Sequence, residues 1–81
     1  TALKPALGHC LGASGAVEMA ACVLALRAGF IPATLGSEEP DPSLPKLRLV
    51  LAPECCEARA VLLLSESFGG RCTALMLTRA A

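Results

Sequence analysis

Residues 4–18 have the sequence KPALGHCLGASGAVE, and this stretch is the most informative part of the 81-residue chain. It contains the only histidine, His9, and Lys4 lies five positions before it. Small residues surround the histidine, and Glu18 lies within the apolar run that follows. A titratable ring flanked by glycine at the start of an apolar helix is an arrangement suited to general acid–base catalysis. His9 is therefore the first candidate for a catalytic residue.

The composition indicates one small domain that forms part of a larger fold. The 81 residues are near the lower limit for a self-sufficient hydrophobic core. Yet 54% of them are apolar, and only 17% are charged. A separate domain of this size should expose a larger polar share, because most of its surface cannot be buried. We therefore expect much of the surface to contact other protein, and the chain to be a part of a longer one.

Charge and hydropathy argue against two classes of partner. The net charge is zero, and no basic run with interleaved aromatic residues is present, so nucleic-acid binding is not expected. The longest nearly apolar run, residues 16–26, is interrupted by Glu18 and is shorter than the roughly 20 residues that a membrane span needs. The start of the chain carries no basic leader segment, so no signal peptide is predicted.

The five cysteines fit neither a disulfide framework nor a zinc site. Their number is odd, Cys55 and Cys56 are adjacent, and the chain has no second histidine to complete a set of zinc ligands. We therefore expect reduced thiols in a cytosolic protein, and no metal site.

Strong helix formers predict a helix over about 11–28. Gly29 is placed to stop it, and Ser14 is available as an early cap or first-turn residue. The predicted helix is apolar nearly all round, which is typical of a buried helix. Pro5 and Gly8 predict an irregular segment before it.

The remainder of the chain predicts an exposed loop and three strands. Prolines and charged residues cluster in the loop, residues 36–45. β-Type runs predict strands at about 47–51, 59–64 and 72–78, and the polar residues 54–57 predict a turn. The connection between the last two strands is long enough for an antiparallel pair.

Together these segments resemble the C-terminal end of a β-ketoacyl synthase, the condensing enzyme of fatty-acid and polyketide synthesis. The resemblance extends over essentially all 81 residues, with the segments in the family's order. The matching segments are Lys4, Gly8-His9, residues 12–18 (GASGAVE), 31–34 (IPAT), 39–42 (EPDP) and 68–70 (FGG). Each is a weak signal alone, but the ordered set is a strong one.

The resemblance implies an α/β fold class and, within it, a thiolase-like αβαβα layered fold. Residues 1–81 would be part of the synthase C-terminal domain and would supply one buried helix and the closing antiparallel strands. The implied reaction is the decarboxylative Claisen condensation of malonyl-acyl carrier protein with an acyl thioester, in fatty-acid or polyketide synthesis. It requires no cofactor, since a cysteine carries the acyl chain and two histidines hold the malonyl thioester oxygen.

The resemblance also implies partners and a location. The partners are acyl carrier protein, which bears acyl- and malonyl-phosphopantetheine thioesters, and the remainder of the synthase fold. A homodimer or heterodimer is expected. The implied location is the cytoplasm, with the mitochondrion and the plastid as alternatives.

By its position in the motif, His9 corresponds to the second of the family's two histidines. Its Nε2–H would donate a hydrogen bond to the thioester oxygen where negative charge develops. Lys4 corresponds to the lysine that orients the polar network beside the catalytic pocket. Glu18 is its expected ion-pair partner, because a carboxylate within an apolar helix must be paired.

Phe68, Gly69 and Gly70 correspond to the loop that gates the acyl pocket in this family, and the glycines would let the loop hinge. A hairpin with a packed Phe68 is an equal alternative. The sequence departs from the usual N-S-F-G-F-G-G-T-N at Glu66-Ser67 and at Arg71-Cys72, which indicates a divergent member.

Three alternatives follow from what the chain lacks or shares. The first alternative is Cys10, which borders the histidine, as the catalytic nucleophile. It is disfavoured because the family's nucleophile lies on a strand-to-helix elbow in the other half of the fold, where helix amides lower its pKa. The isolated chain is therefore expected to be inactive. A non-catalytic chain-length-factor-like subunit is a second reading, which retention of Lys4 and His9 disfavours. A thiolase is a third, which Lys4 and Glu18 disfavour.

Overall fold

The computed structural model describes residues 1–80. Two helices, a 3₁₀ turn and two antiparallel strand pairs make up this small α/β structure. In chain order they are α1 (Lys4–Leu7), the 3₁₀ turn (Leu11–Ala13), α2 (Ser14–Ala28), β1 (Phe30–Ile31), β2 (Glu54–Cys55), β3 (Ala60–Ser67) and β4 (Arg71–Thr78).

The helix predicted over residues 11–28 is confirmed, with the 3₁₀ turn running directly into α2. Gly29 ends α2 in the left-handed conformation, with φ 73° and ψ 40°. Its amide donates a hydrogen bond of 2.9 Å to the carbonyl oxygen of Ala25. A residue without a Cβ adopts this conformation at no steric cost, so Gly29 is the stop that its position predicted.

The last two predicted strands form an antiparallel hairpin, as expected. Their register runs from Ala60 opposite Thr78 to Ser67 opposite Arg71, so both strands extend further toward the turn than predicted. Gly69 and Gly70 form the turn with φ values of 86° and 78°. Because side chains with a Cβ rarely adopt these angles, the two glycines allow the strands to pair up to the tip.

One face of β3 packs against α2. Val61, Leu63 and Ser65 are half-buried, whereas the residues between them are exposed. A Cβ built on Gly15 of α2 would lie 3.8 Å from the Oγ atom of Ser65. The first turn of α2 therefore lies close to the hairpin, and the small residues of this turn leave room for the approach.

The strand predicted over 47–51 is wrong. Within the described residues this segment forms no ladder, and its link to the rest is a 2.7 Å hydrogen bond from the amide of Thr34 to the carbonyl oxygen of Val50. Pro45 and Pro53 flank the segment and interrupt regular pairing. Val50 is nevertheless the most buried apolar residue described, with 3% of its surface exposed.

The turn predicted over 54–57 is also wrong in its first half. Glu54 and Cys55 form β2, which pairs antiparallel with β1. Arg48 and Glu54 form a surface ion pair beside it. Backbone pairing depends on a free strand edge rather than on side-chain polarity, and β1 offers such an edge at the end of α2.

The segment before His9 is not irregular, because Lys4–Leu7 form the single turn α1. Pro5 lies in the first turn, where its missing N–H has no intrahelical partner to lose. Gly8 ends the turn with φ 82°, and its amide bonds the carbonyl oxygen of Lys4. Proline therefore started this helix instead of preventing it.

Thr34 joins three segments of the chain. It is 7% exposed. Its Oγ1 accepts a 2.9 Å hydrogen bond from the amide of Ala2 and lies 2.9 Å from the Oγ1 of Thr1. Its own amide bonds the carbonyl oxygen of Val50. The threonine of the IPAT segment therefore fixes the start of the chain beside the exit of α2.

The loop over residues 36–45 is exposed, as predicted. Asp41 organises it by accepting hydrogen bonds from the amide and hydroxyl of Ser43, at 2.8 and 2.7 Å. These two bonds to the ionised carboxylate lower the pKa of Asp41. The loop thus has a local turn without support from the core.

The prediction that α2 is a buried helix does not hold within the described residues. Only Ser14, Ala25 and Leu26 of α2 are buried, and Leu24 is 64% exposed. On the outer face of the hairpin, Leu64 is 67% exposed. Residues 1–80 provide one layer on one side of the helix, so its other apolar sides are uncovered. The thiolase-like layering remains a prediction.

By length and composition alone, the helical stretch 11–28 is apolar enough to cross a membrane. The apolar run of residues 16–26 was predicted to be too short for a membrane span. The structure corrects this length, because the helical stretch includes residues on both sides of that run. This is weak evidence for a span, because the core helix of a soluble protein meets the same criterion. Glu18 lies within this stretch and makes an ion pair outside it.

Candidate functional site

His9 lies between α1 and the 3₁₀ turn, and one of its ring nitrogens is fixed by backbone. The Nδ1 atom accepts a 2.9 Å hydrogen bond from the amide of Leu11. Leu11 has φ 50°, and it is the sole non-glycine residue in the described chain with a positive φ. Such a conformation is costly for a residue with a Cβ and is concentrated at functional sites. Here it accompanies an amide directed at the His9 ring.

A buried hydroxyl lies beside the same nitrogen. Ser14 is 9% exposed, and its Oγ accepts a 2.9 Å hydrogen bond from the amide of Cys10. The same Oγ lies 3.2 Å from the Nδ1 of His9. Ser14 is the first residue of α2, so the histidine is tied to the start of the long helix.

These contacts determine which nitrogen of the neutral ring carries the proton. Because Nδ1 accepts the Leu11 amide, the proton of a neutral imidazole is assigned to Nε2. Within residues 1–80, Nε2 has no hydrogen-bond partner. His9 therefore offers an unoccupied N–H donor, the group needed to stabilise an oxygen on which negative charge develops.

The predicted ion pair of Lys4 and Glu18 is confirmed. The Nζ of Lys4 lies 2.6 Å from the Oε1 of Glu18, and the two side chains are 44% and 12% exposed. The pair joins α1 to α2, and His9 lies in the connection between them. The ion pair therefore braces the segment that carries the histidine.

His9, Lys4 and Glu18 line one side of a cleft of about 500 Å³. The α2-facing side of the hairpin forms the opposite wall. This wall contributes hydroxyl groups, one cation and one carboxylate, and its polar members are Ser65, Glu66, Ser67, Arg71 and Thr73. The structure thus brings three of the predicted site residues into one partly polar cleft.

The predicted gating residues are not in the cleft wall. Phe68 is 96% exposed at the tip of the hairpin, next to residues that do line the cleft. The alternative of a hairpin with a packed Phe68 does not hold within the described residues. Phe68 therefore extends from the hairpin tip without a packing partner among residues 1–80.

Two of the groups around His9 were not predicted from the sequence. Ser14 was predicted only as an early cap or first-turn residue, and the Leu11 amide was not considered. Ser14 is in the first turn of α2, but residue type alone did not indicate its contact with His9. The spacing of Ser14 five residues after His9 was the available signal, but it becomes specific only when the turn between them is known.

All five cysteines are free thiols. Burial within the apolar face of α2 raises the pKa of Cys22, and the nearby negative charge of Glu18 raises it further. Cys10 is exposed and adjacent to His9, with its Sγ 4.0 Å from the carbonyl oxygen of Gly8. Within residues 1–80, no group of three or more His, Cys, Asp or Glu side chains is placed to hold a metal ion.

Residues 1–38 match the family described as Beta-ketoacyl synthase, C-terminal domain. These residues contain α1, the histidine, α2 and the exit strand β1. No solved structure matches the chain significantly.

Similar proteins extend the match over nearly the whole chain. The tetracenomycin polyketide synthase ketoacyl synthase alpha subunit of Streptomyces glaucescens is 39% identical over an alignment of 82 residues that covers 98% of this chain and 18% of that protein. Polyketide β-ketoacyl synthases from other Streptomyces are 36–40% identical over 77–81 residues. Nodulation protein E of Rhizobium leguminosarum bv. trifolii is 59% identical over 34 residues, 42% of this chain and 8% of that protein. The chain thus spans less than a fifth of each of these relatives.

Proposed function

This chain belongs to the β-ketoacyl synthase family as part of its C-terminal domain, and from this we propose that it supplies His9 and Lys4 to a condensing site. The proposed reaction is the decarboxylative Claisen condensation of a malonyl thioester with an acyl thioester in polyketide synthesis. The relatives that match across the chain are named as polyketide ketoacyl synthases, which supports this pathway. Their names do not favour the chain-length-factor alternative.

The observation that carries the proposal is the free Nε2–H of His9 within the cleft. When the malonyl carboxyl group leaves as carbon dioxide, the electron pair of the broken C–C bond becomes an enolate, with its charge on the thioester oxygen. A donor already directed at that oxygen stabilises the charge as it forms and needs no reorganisation. The carbanion then attacks the acyl thioester carbonyl, and the cysteine thiolate that held the acyl chain leaves. In this proposal the cysteine belongs to another part of the synthase.

Lys4 and Glu18 have a positioning role in the proposed site. Their 2.6 Å ion pair joins the two helices on either side of His9. Loss of this brace would move the histidine away from the thioester oxygen. Small displacements of an oriented group are costly in a reaction whose rate depends on alignment.

The hairpin tip is proposed to gate access to the acyl pocket. Phe68 is almost fully exposed, and the two glycines beside it have left-handed backbone angles. The residues that flank this tip line the His9 cleft. A change in the tip conformation would therefore alter the entrance to the cleft without unpairing the strands.

The proposed partners are acyl carrier protein with its phosphopantetheine thioesters, the rest of the synthase fold and a second subunit of a dimer. The exposed apolar sides of α2 and the outer face of the hairpin support extensive contact with other protein. The proposed location is the cytoplasm. The proposed chemistry uses no cofactor, because the malonyl thioester, the histidine and the cysteine of another part of the synthase supply all the groups described above.

A His9→Ala variant of the full-length synthase tests the proposal. Removal of one donor from an oxyanion-stabilising site typically lowers kcat by about 10²–10³-fold. We expect a loss of this size in malonyl decarboxylation, measured as carbon dioxide release. His9→Gln is the matched variant, since its amide retains a donor of similar reach and should lose less. Unimpaired decarboxylation by His9→Ala would contradict the assigned role.

A further inference from the structure

We infer that Ser14 is a positioning residue that holds His9 in the tautomer with its proton on Nε2. The inference rests on the proposed function of His9 and adds a residue to that site. Ser14 is one of only a few buried polar residues in the described chain, with 9% exposure. Its hydroxyl lies at the junction of the histidine segment and α2.

The hydrogen bonds of the hydroxyl determine its direction. The Oγ of Ser14 already accepts the amide of Cys10 at 2.9 Å, so its own hydrogen requires an acceptor. The other atom within hydrogen-bond distance among the described residues is the Nδ1 of His9, at 3.2 Å. A buried hydroxyl without an acceptor would be unfavourable. The geometry therefore has Ser14 donating to Nδ1.

A second donor excludes the reverse direction. The amide of Leu11 donates to the same Nδ1 at 2.9 Å, and an amide nitrogen cannot accept in return. Nδ1 must therefore present its lone pair to both groups, and the proton of the neutral ring lies on Nε2. The Nε2–H tautomer is the one that can donate to a thioester oxygen.

The two donors differ in how firmly they are held. Leu11 is 70% exposed and has a positive φ, a backbone conformation that is costly for a residue with a Cβ. Ser14 is buried and belongs to α2, which is the longest helix. It also accepts the amide of Cys10, the residue that directly follows His9. The serine therefore holds both the ring and the backbone beside it.

The start of α2 supports a dedicated role for this hydroxyl. Serine is among the favoured N-cap residues, but α2 begins without any side-chain cap. Ser14 instead lies inside the first turn and directs its oxygen back to residues 9 and 10. The helix therefore has no side-chain hydrogen bond that caps its start, and the Ser14 hydroxyl contacts the His9 ring instead.

The test is a set of variants of the full-length synthase: Ser14→Ala, Ser14→Thr and, as a matched loss of a distant hydroxyl, Ser43→Ala. Loss of one neutral hydrogen bond is expected to lower kcat for malonyl decarboxylation by about 2–10-fold, with KM unchanged. Selective ¹⁵N labelling of histidine should show the protonated nitrogen shifting from Nε2 toward a mixture of both tautomers in Ser14→Ala. Ser14→Thr should restore both the rate and the single tautomer. Ser43→Ala should alter neither.

Two results would overturn the inference. One is a Ser14→Ala variant with the wild-type rate and the wild-type tautomer. The other is a lower rate with an unchanged tautomer, which would leave only a general structural role. His9→Ala separates this inference from the proposed function. If His9→Ala is inactive while Ser14→Ala is normal, only the role of Ser14 is wrong, whereas an active His9→Ala contradicts the proposed function itself.

Discussion

Lys4 and Glu18 form an ion pair, and removing one charge should destabilise the protein more than removing the other. Charges 2.6 Å apart would attract by about 6 kcal/mol at an effective dielectric constant near 20. Lys4 is 44% exposed, however, so solvent screening reduces the net value to about 0.2–1 kcal/mol. Glu18 is only 12% exposed, and an unpaired carboxylate there costs roughly 1–3 kcal/mol. Lys4→Met should therefore destabilise more than Glu18→Gln.

The assay is thermal unfolding of the full-length synthase variants together with their rate of malonyl decarboxylation. Lys4→Met should lower the free energy of unfolding by about 1–2 kcal/mol and Glu18→Gln by less than about 1 kcal/mol. The double variant should be less destabilised than the sum of the two, because it leaves no unpaired charge. The decarboxylation rate should fall by roughly tenfold in Lys4→Met, since the brace beside His9 is lost.

Arg48 and Glu54 provide the matched control pair. Their side chains are 71% and 41% exposed, so removing either charge should change stability by less than about 0.5 kcal/mol. The reasoning would be refuted if Lys4→Met and Glu18→Gln had equal and additive effects. It would also be refuted if Arg48→Met destabilised as much as Lys4→Met.

The remaining predictions concern the hairpin tip and a buried thiol. Phe68→Ala should change the range of acyl chains that the full-length synthase accepts, because the hairpin tip is proposed to gate the acyl pocket; an unchanged preference across a series of acyl thioesters would disprove this. Gly70→Ala should destabilise the protein by about 1–2 kcal/mol, because Gly70 has a φ of 78°. Gly12→Ala should be tolerated, because Gly12 has no positive φ and no atom lies within 4 Å of the added Cβ. Equal melting temperatures of the two variants would contradict this expectation. Cys22 should react more slowly with iodoacetamide than the exposed Cys72, because burial and Glu18 raise the pKa of the Cys22 thiol; mass spectrometry of labelled peptides would expose the opposite order.

Much of the fold was predictable where the local signal and the tertiary structure agree. The span of α2 follows from its helix formers and from Gly29, whose left-handed conformation ends it. The hairpin follows from two β-type runs joined by Gly69-Gly70. In each case one or two positions require a left-handed backbone conformation, which few residue types other than glycine adopt.

The errors fall where pairing depends on distant parts of the chain. Residues 47–51 have strand propensity but no ladder partner among residues 1–80, whereas the polar Glu54-Cys55 pairs with the free edge of β1. Propensity cannot distinguish these two cases, because it does not include the position of a free edge. The irregular segment predicted from Pro5 was wrong for a different reason. Proline breaks a helix when it lies in the interior, but it is favoured in the first turn, where Pro5 lies.

Of the predicted site residues, Lys4, His9 and Glu18 lie together in one cleft, and the geometry around the histidine was predicted only in part. Lys4 and Glu18 were paired by an energetic argument, since a carboxylate in an apolar helix requires a partner, and the structure confirms the pair. The tautomer of His9 could not be predicted, because it depends on the backbone angle of Leu11 and on the side-chain direction of Ser14. Sequence identifies the titratable group, and local backbone geometry determines which of its atoms is available.

The central claim is that His9 serves the malonyl half of the reaction through Nε2, and a single-turnover comparison tests it most directly. The full-length synthase and its His9→Ala variant would each be mixed with an acyl thioester and then, in separate experiments, with a malonyl thioester. We predict that acyl transfer to the nucleophilic cysteine remains within about threefold of the wild-type rate, while malonyl decarboxylation falls by about 10²–10³-fold. Equal loss in both half-reactions, or normal decarboxylation, would contradict the assignment.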